Sequence, residues 1–247
     1  SANVASANVA SANVASANIK IPKVLYRIGL KPATRTVELD ALFSKIQTQN
    51  PNYKIVYFDD EKCINFLKKH FNPTVLEAFH SLIPPAYKCD LMRYCILYIH
   101  GGVYGDLFQD YCIPLNQIIN HEHDSLVLVQ DRYSTKNKLN GIQNNFMGTY
   151  PKNPIYRDCI DQIVDNVKNR YYGNTYLDPT GPILFSKIFH EKYLDTNYTM
   201  ILKQHEHHHI HYKTKQKIIE TKSAGYNKTV TGPKYCDLWD KRKIYTN

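Results

Sequence analysis

The sequence predicts an α/β fold whose central sheet opens a ligand crevice at its strand ends, and three observations predict it. Short runs of β-branched and aromatic residues alternate with segments whose apolar residues recur at helical spacing. The order strand, helix, strand, helix implies parallel pairing with right-handed crossovers. With 43% hydrophobic residues, 21% charged and 10 glycines, the chain is too apolar for disorder and too glycine-poor for a fibre.

Of the 247 residues, 1–18 repeat Ser-Ala-Asn-Val-Ala, with neither helical nor strand periodicity. They read as a repetitive linker or appended segment, which leaves 19–247 as one domain.

Lys23 to Ile28 is a β-type run ended by Gly29 and Pro32. Val37, Leu39, Leu42, Phe43 and Ile46 then mark a helix with Thr36 as N-cap. It stops before Pro51, because the residue preceding proline avoids the α region. Tyr53 to Phe58 reads as the second strand, and Asp59-Asp60 as the cap of a helix through Phe66 and Leu67.

Pro84-Pro85 opens a buried helix whose face is Leu91, Tyr94, Cys95, Tyr98 and Ile99, and Gly101-Gly102 stops it after His100. Val103-Tyr104 leads into an acidic turn at Asp106. Leu126 to Val129 reads as a fully buried strand, Ile155 to Asn169 as an amphipathic helix, and Ile183 to Tyr193 as another helix after Pro182.

No apolar run reaches the roughly 18 residues of a membrane span, and no leader pattern opens the chain. Six scattered cysteines without a CxxC pair predict a reducing, cytoplasmic setting. The charge of +9, from 31 Lys+Arg against 22 Asp+Glu, suits an anionic partner. Zinc-finger, RRM and bZIP patterns are absent, so nucleic acid is not the expected partner.

The chemistry concentrates in Lys88-Cys89-Asp90-Leu91-Met92-Arg93-Tyr94 and Gly101-Gly102-Val103-Tyr104-Gly105-Asp106. Asp90 and Arg93, three apart on a helix, share a face. A guanidinium forks onto phosphate oxygens and a carboxylate accepts sugar hydroxyls, so the pair suits a ligand with both. A solvated intrahelical ion pair is the competing reading.

From Ala86 to Asp106 the chain resembles glycosyltransferase family 32, the DXD-containing sugar-binding glycosyltransferases that include yeast mannosyltransferases and bacterial capsular polysaccharide enzymes. Weaker echoes are Ile21 to Val24, Asn50 to Tyr53, Asn144 to Met147, Thr180-Gly181-Pro182 and Leu238-Trp239. The resemblance implies a GT-A type fold, a single Rossmann-like nucleotide-binding domain with a mixed central sheet. It implies a retaining hexosyltransferase that takes sugar from a UDP- or GDP-sugar to a hydroxyl acceptor. By position, Asp90 and Arg93 would hold the donor sugar and its phosphate side, with Lys88 beside them, and Tyr104 would flank the nucleotide. Asp106 would be the first aspartate of the DXD motif, Asn144 or Asn145 would line the sugar pocket, Trp239 would close over the diphosphate, and Tyr26 would meet the base.

Where the family has its second aspartate, the usual ligand to Mn2+ or Mg2+, this chain has Phe108. Phenylalanine offers no oxygen to a hard cation. Three readings follow: Asp110 or Asp237 joins Asp106 as metal ligand, basic side chains neutralise the diphosphate, or the protein binds donor with weakened or no turnover.

His205 to His211 would present His205, His207, His209 and His211 on one face of a strand, a spacing open to Zn2+. No cysteine lies near to complete a tetrahedral site, so an exposed polar strand or loop is the plainer expectation.

Overall fold

A computed structural model of the chain describes residues 20–31, 35–131, 141–205, 208–211, 215–221 and 233–246. The repeat at 1–18 lies outside them.

β1 (Val24–Ile28) lies between β2 (Lys54–Phe58) and β3 (Gly102–Gly105), parallel to both. One helix crosses from β1 to β2, and three helices lie between β2 and β3. In α1 (Val37–Gln49) the Thr36 hydroxyl accepts from the Leu39 amide, and the helix buries Leu39, Leu42, Phe43 and Ile46. In α2 (Asp60–His70) the Asp59 carboxylate accepts from the Lys62 amide, which satisfies a helix-end donor worth about 1 kcal/mol. A further helix, α3 (Pro73–Ser81), starts on proline at its first position, where the missing N–H costs nothing.

The site-bearing helix α4 (Pro85–His100) is buried from Asp90 through Leu97 on every side, so it runs through the core instead of lying on it. It ends because Gly101 and Gly102 have φ of 62° and 94°. A Cβ on Gly101 would stand 2.6 Å from the Pro151 nitrogen, and one on Gly102 2.9 Å from the Val24 carbonyl. Only glycine supplies both the positive φ and the close approach.

The remaining elements are β4 (Gln109–Tyr111), α5 (Leu115–Ile118), β5 (Leu126–Gln130), β6 (Ile142–Thr149), α6 (Pro154–Lys168), α7 (Pro182–Lys192), β7 (Thr199–His205), β8 (His208–His211), β9 (Lys217–Thr221) and α8 (Tyr235–Asp240). Among the described residues the strands form one mixed sheet ordered β2-β1-β3-β6-β5-β7-β8-β9-β4. Among these described strands only β1–β2, β1–β3 and β5–β7 pair in parallel. Residues 106–108 alone join β3 to β4, yet β4 lies at the far edge of that order. The four steps from Gly105 to Gln109 span at most about 14 Å, so the sheet curls until its last strands return to the end of β3.

Apolar clusters cover both faces. One joins α2, α3, α4, α6 and α7, and the other joins α1 and α5 to Phe108, Tyr111 and Phe146. No helix among the described residues is long and apolar enough to cross a membrane.

The histidine run corrects the single-strand reading. His205 ends β7 and pairs antiparallel with His208 of β8, so the run is divided between two strands, with Glu206 and His207 outside the described residues. His209 is buried, not part of an exposed strand.

His121 couples the start of the fold to its middle. Its Nδ1 meets the Ile21 carbonyl at 2.7 Å, and its Nε2 shares a hydrogen bond with the Tyr53 hydroxyl. Burial lowers its pKa, only partly countered by the Ile21 carbonyl. A depressed folded value contributes stability that is present above the unfolded value near 6.5 and is lost as pH falls through the folded one. Thermal melts between about pH 7.5 and about pH 5 should therefore show Tm falling with acid, and His121→Gln should flatten that slope. An unchanged slope would remove His121 as its source.

Candidate active site

Asp90 and Arg93 project from α4 towards the ends of β3 and β6, and both are buried, at 8% and 6% exposure. This excludes the solvated ion pair. Arg93 Nη2 lies 3.1 Å from Asp90 Oδ1. Asp90 Oδ1 also accepts from Asn144 Nδ2 at 2.9 Å, and Oδ2 accepts from the Thr180 hydroxyl at 2.8 Å. Burial pushes the Asp90 carboxyl up, opposed by the Arg93 guanidinium and by the Thr180 and Asn144 hydrogen bonds.

Arg93 Nη1 donates to the Asn144 carbonyl and lies 3.5 Å from Asp106 Oδ1. Its guanidinium carbon sits 4.5 Å from the centre of the Tyr104 ring. Burial alone would depress Arg93, but Tyr104, Asp90 and Asp106 around it hold it up, so it stays charged.

Asp106 follows β3, where the chain turns. Its amide donates to the Asn145 carbonyl at 2.9 Å, and its Oδ1 accepts from the Tyr104 hydroxyl at 2.9 Å. With 41% of its side chain exposed, Asp106 is the acid of this cluster that faces solvent. The geometry therefore separates a solvent-facing carboxylate from a buried one, joined through a single guanidinium.

Beneath the turn lies Arg27, fully buried at the end of β1. It donates to the Asp106 carbonyl and, at 2.9 Å, to the Gln109 carbonyl. A Cβ on Gly105 would stand 3.1 Å from Arg27 Nη1 and 2.4 Å from the Tyr111 hydroxyl, so glycine is what lets the chain pass over this arginine. Sequence reasoning missed Arg27, the hydrogen bond from Thr180 to Asp90, and Tyr94, whose hydroxyl accepts from Asn144 Nδ2 at 3.0 Å. The available signal for Arg27 was a charge inside an otherwise apolar strand.

Asp90, Arg93, Tyr104, Asp106 and Asn144 thus come together, with Asn145 attached from the far side of the sheet: its Oδ1 lies 2.9 Å from His209 Nε2. Four expected contacts lie elsewhere. Tyr26 is buried against Phe58 and His100, its phenol pushed up to about 12 by burial, and it presents no open face to a base. The Lys88 ammonium lies 5.2 Å from the Phe79 ring centre, away from the Asp90 carboxylate. Trp239 donates from Nε1 to the Tyr172 carbonyl at 2.7 Å and stacks with Arg242, and Asp237 is exposed on the same short α8.

A Mn2+ or Mg2+ ion needs several converging oxygens. Phe108 is buried among apolar side chains, and the Asp110 carboxylate is taken by Lys45 at 2.6 Å and by the Tyr111 amide at 2.9 Å. Asp106 alone faces outward, already bonded to Tyr104 and Arg93. Among the described residues no three His, Cys, Asp or Glu side chains converge. The donor set does not fit a resident divalent cation.

Comparison with known proteins agrees with this architecture. Residues 36–125 match the family model described as the glycosyltransferase sugar-binding region containing DXD motif. A mannosyl phosphorylinositol ceramide synthase of Saccharomyces cerevisiae is 30% identical over 141 residues, covering 57% of this chain and 35% of that protein. An uncharacterized glycosyltransferase of Acanthamoeba polyphaga mimivirus is 28% identical over 67% of this chain and 63% of its own length. The chain thus matches about a third of the yeast relative. Among solved structures, the PaToxG glycosyltransferase superposes with a TM-score of 0.53 at 16% identity, over 72% of this chain and 71% of that one, which shows a shared fold. The segment from 36 to 125, signature helix included, is thus similar to the glycosyltransferase sugar-binding region containing DXD motif, and it is carried on a GT-A type fold.

Proposed function

We propose that the chain is a hexosyltransferase that moves a sugar from a UDP- or GDP-sugar to a hydroxyl acceptor with retention at the anomeric carbon. One observation carries the reading: a solvent-facing carboxylate, Asp106, is aimed by Tyr104 and by a buried arginine whose own position is set by Asp90 and Asn144. Asp106 accepts hydrogen bonds from donor hydroxyls. Arg93 lends positive charge to the phosphate side, and Asp90 acts through Arg93 as a positioning residue.

In the reaction, the bond from the anomeric carbon to the phosphate oxygen breaks while the acceptor oxygen attacks from the same face. The departing phosphate takes the acceptor proton, so no separate protein base is required. What the protein must supply is fixed positive charge near the leaving oxygen, which is most effective when it does not reorganise during the step. The yeast relative's name makes mannose the first donor sugar to test. Six free thiols support the reducing, cytoplasmic setting as part of the same proposal.

Phe108 favours a second reading, a donor-binding protein without turnover, and donor hydrolysis separates the two. In thermal shift, UDP, GDP or a sugar conjugate at about 100 times its Kd should stabilise the protein by about 2.7 kcal/mol, roughly 5–10 °C. Stabilisation by none of them would end both readings.

Asp106→Ala should lower turnover by about 100-fold or more while Tm stays within about 2 °C, because its side chain is partly exposed. Unchanged activity would remove Asp106 from the mechanism. Arg93→Met should cost about 3–5 kcal/mol in urea unfolding, since it strands the buried Asp90 carboxylate. A loss below about 1 kcal/mol would contradict the buried-pair account.

A further inference from the structure

The turn that holds Asp106 is charged in a way that differs from a cation-binding turn, and we propose that this chain binds its nucleotide-sugar donor without a divalent cation, using fixed arginine charge in the cation's place. The inference rests on the donor-site reading above.

Phe108 stands two residues after Asp106, and its ring belongs to the cluster that contains Leu39, Phe43 and Tyr111. An apolar ring at 7% exposure is held there by burial, so the turn has no second oxygen to rotate towards solvent. The next carboxylate, Asp110, sits on β4 in register with Glu220 of β9, and its side chain is 7% exposed against Lys45. Drawing it to Asp106 would break the ladder and bare a buried acid.

The charges around the turn complete the argument. A pair of aspartates offers a dication two negative charges on adjacent side chains. Here Arg93 lies beside the Asp106 carboxylate and Arg27 beneath its carbonyl, so two guanidiniums balance Asp90 and Asp106. A dication on Asp106 would meet the Arg93 guanidinium 3.5 Å from that carboxylate, with the buried Arg27 charge beneath the same turn. A diphosphate would be attracted by the same two charges. Arg27 is pinned by the Asp106 and Gln109 carbonyls and Arg93 by the Asn144 carbonyl, so neither has to move as charge develops on the leaving oxygen.

The test is isothermal titration of the wild-type chain with UDP and GDP, once in excess EDTA and once in millimolar Mn2+. The expected result is a nucleotide Kd that agrees within about threefold between the two buffers, with Mn2+ alone showing no bound fraction by electron paramagnetic resonance. Tightening by Mn2+ of about tenfold or more would overturn the proposal. Binding of neither nucleotide in either buffer would instead overturn the donor-site reading, and the proposal with it.

Phe108→Asp supplies the missing oxygen pair and should make nucleotide binding respond to Mn2+ by about tenfold. A folded Phe108→Asp, checked by its melt, that binds nucleotide and ignores Mn2+ would also count against the proposal. If that variant fails to fold, the wild-type comparison still decides.

Discussion

The buried ion pair between Asp90 and Arg93 is the constraint around which the site is arranged. Withdrawing two charges from water costs several kcal/mol each, and their attraction offsets this only when the remaining hydrogen-bonding positions are also filled. Here Thr180, from the loop before α7, and Asn144, from β6, fill them, while the Tyr104 ring of β3 stacks on the guanidinium. Each of those segments is thereby tied to α4. Any displacement of one leaves a buried charge underbonded, which favours a single arrangement over a family of looser ones.

Asn144 and Asn145 serve as the junction. The Asn144 carbonyl accepts from Arg93 and its amide reaches Asp90 and the Tyr94 hydroxyl. The Asn145 carbonyl fixes the Asp106 amide, while its side chain meets His209 on the returning edge of the sheet. Two consecutive residues therefore register the buried pair, the exposed carboxylate and the far strands against one another. Arg27 closes the arrangement from below by holding both ends of the turn. The exposed carboxylate is thus aimed by rigid strands and a core helix, which suits a group that has to meet substrate in one orientation.

Much of this was legible in the sequence where the cause was local. Thr36 and Asp59 are helix caps because their short side chains reach an amide three residues on, and the paired glycines announce a stop that only positive φ permits. The signature from Ala86 to Asp106 located Asp90, Arg93 and Asp106, and the structure brings them together. What stayed hidden depends on distant partners. Arg27 meets a turn some eighty residues away, and Thr180 meets Asp90 ninety residues away. The histidine run could be read as one strand because periodicity does not reveal where one strand ends and the next begins. Trp239, Lys88 and Tyr26 were placed by the family resemblance alone, and local packing takes each of them away from the cluster.

The central claim is that one cluster, Asp90–Arg93–Asn144–Asp106, forms the wall against which an activated sugar is held. A crystal structure of the chain soaked with GDP-mannose or a UDP-hexose tests it most directly. The account predicts sugar hydroxyls within hydrogen-bond distance of the Asp106 carboxylate and the diphosphate on the Arg93 side of the turn. Donor density elsewhere, for instance in the surface groove lined by Lys23, Asn116 and His121, with the Asp106 carboxylate left facing solvent, would contradict it.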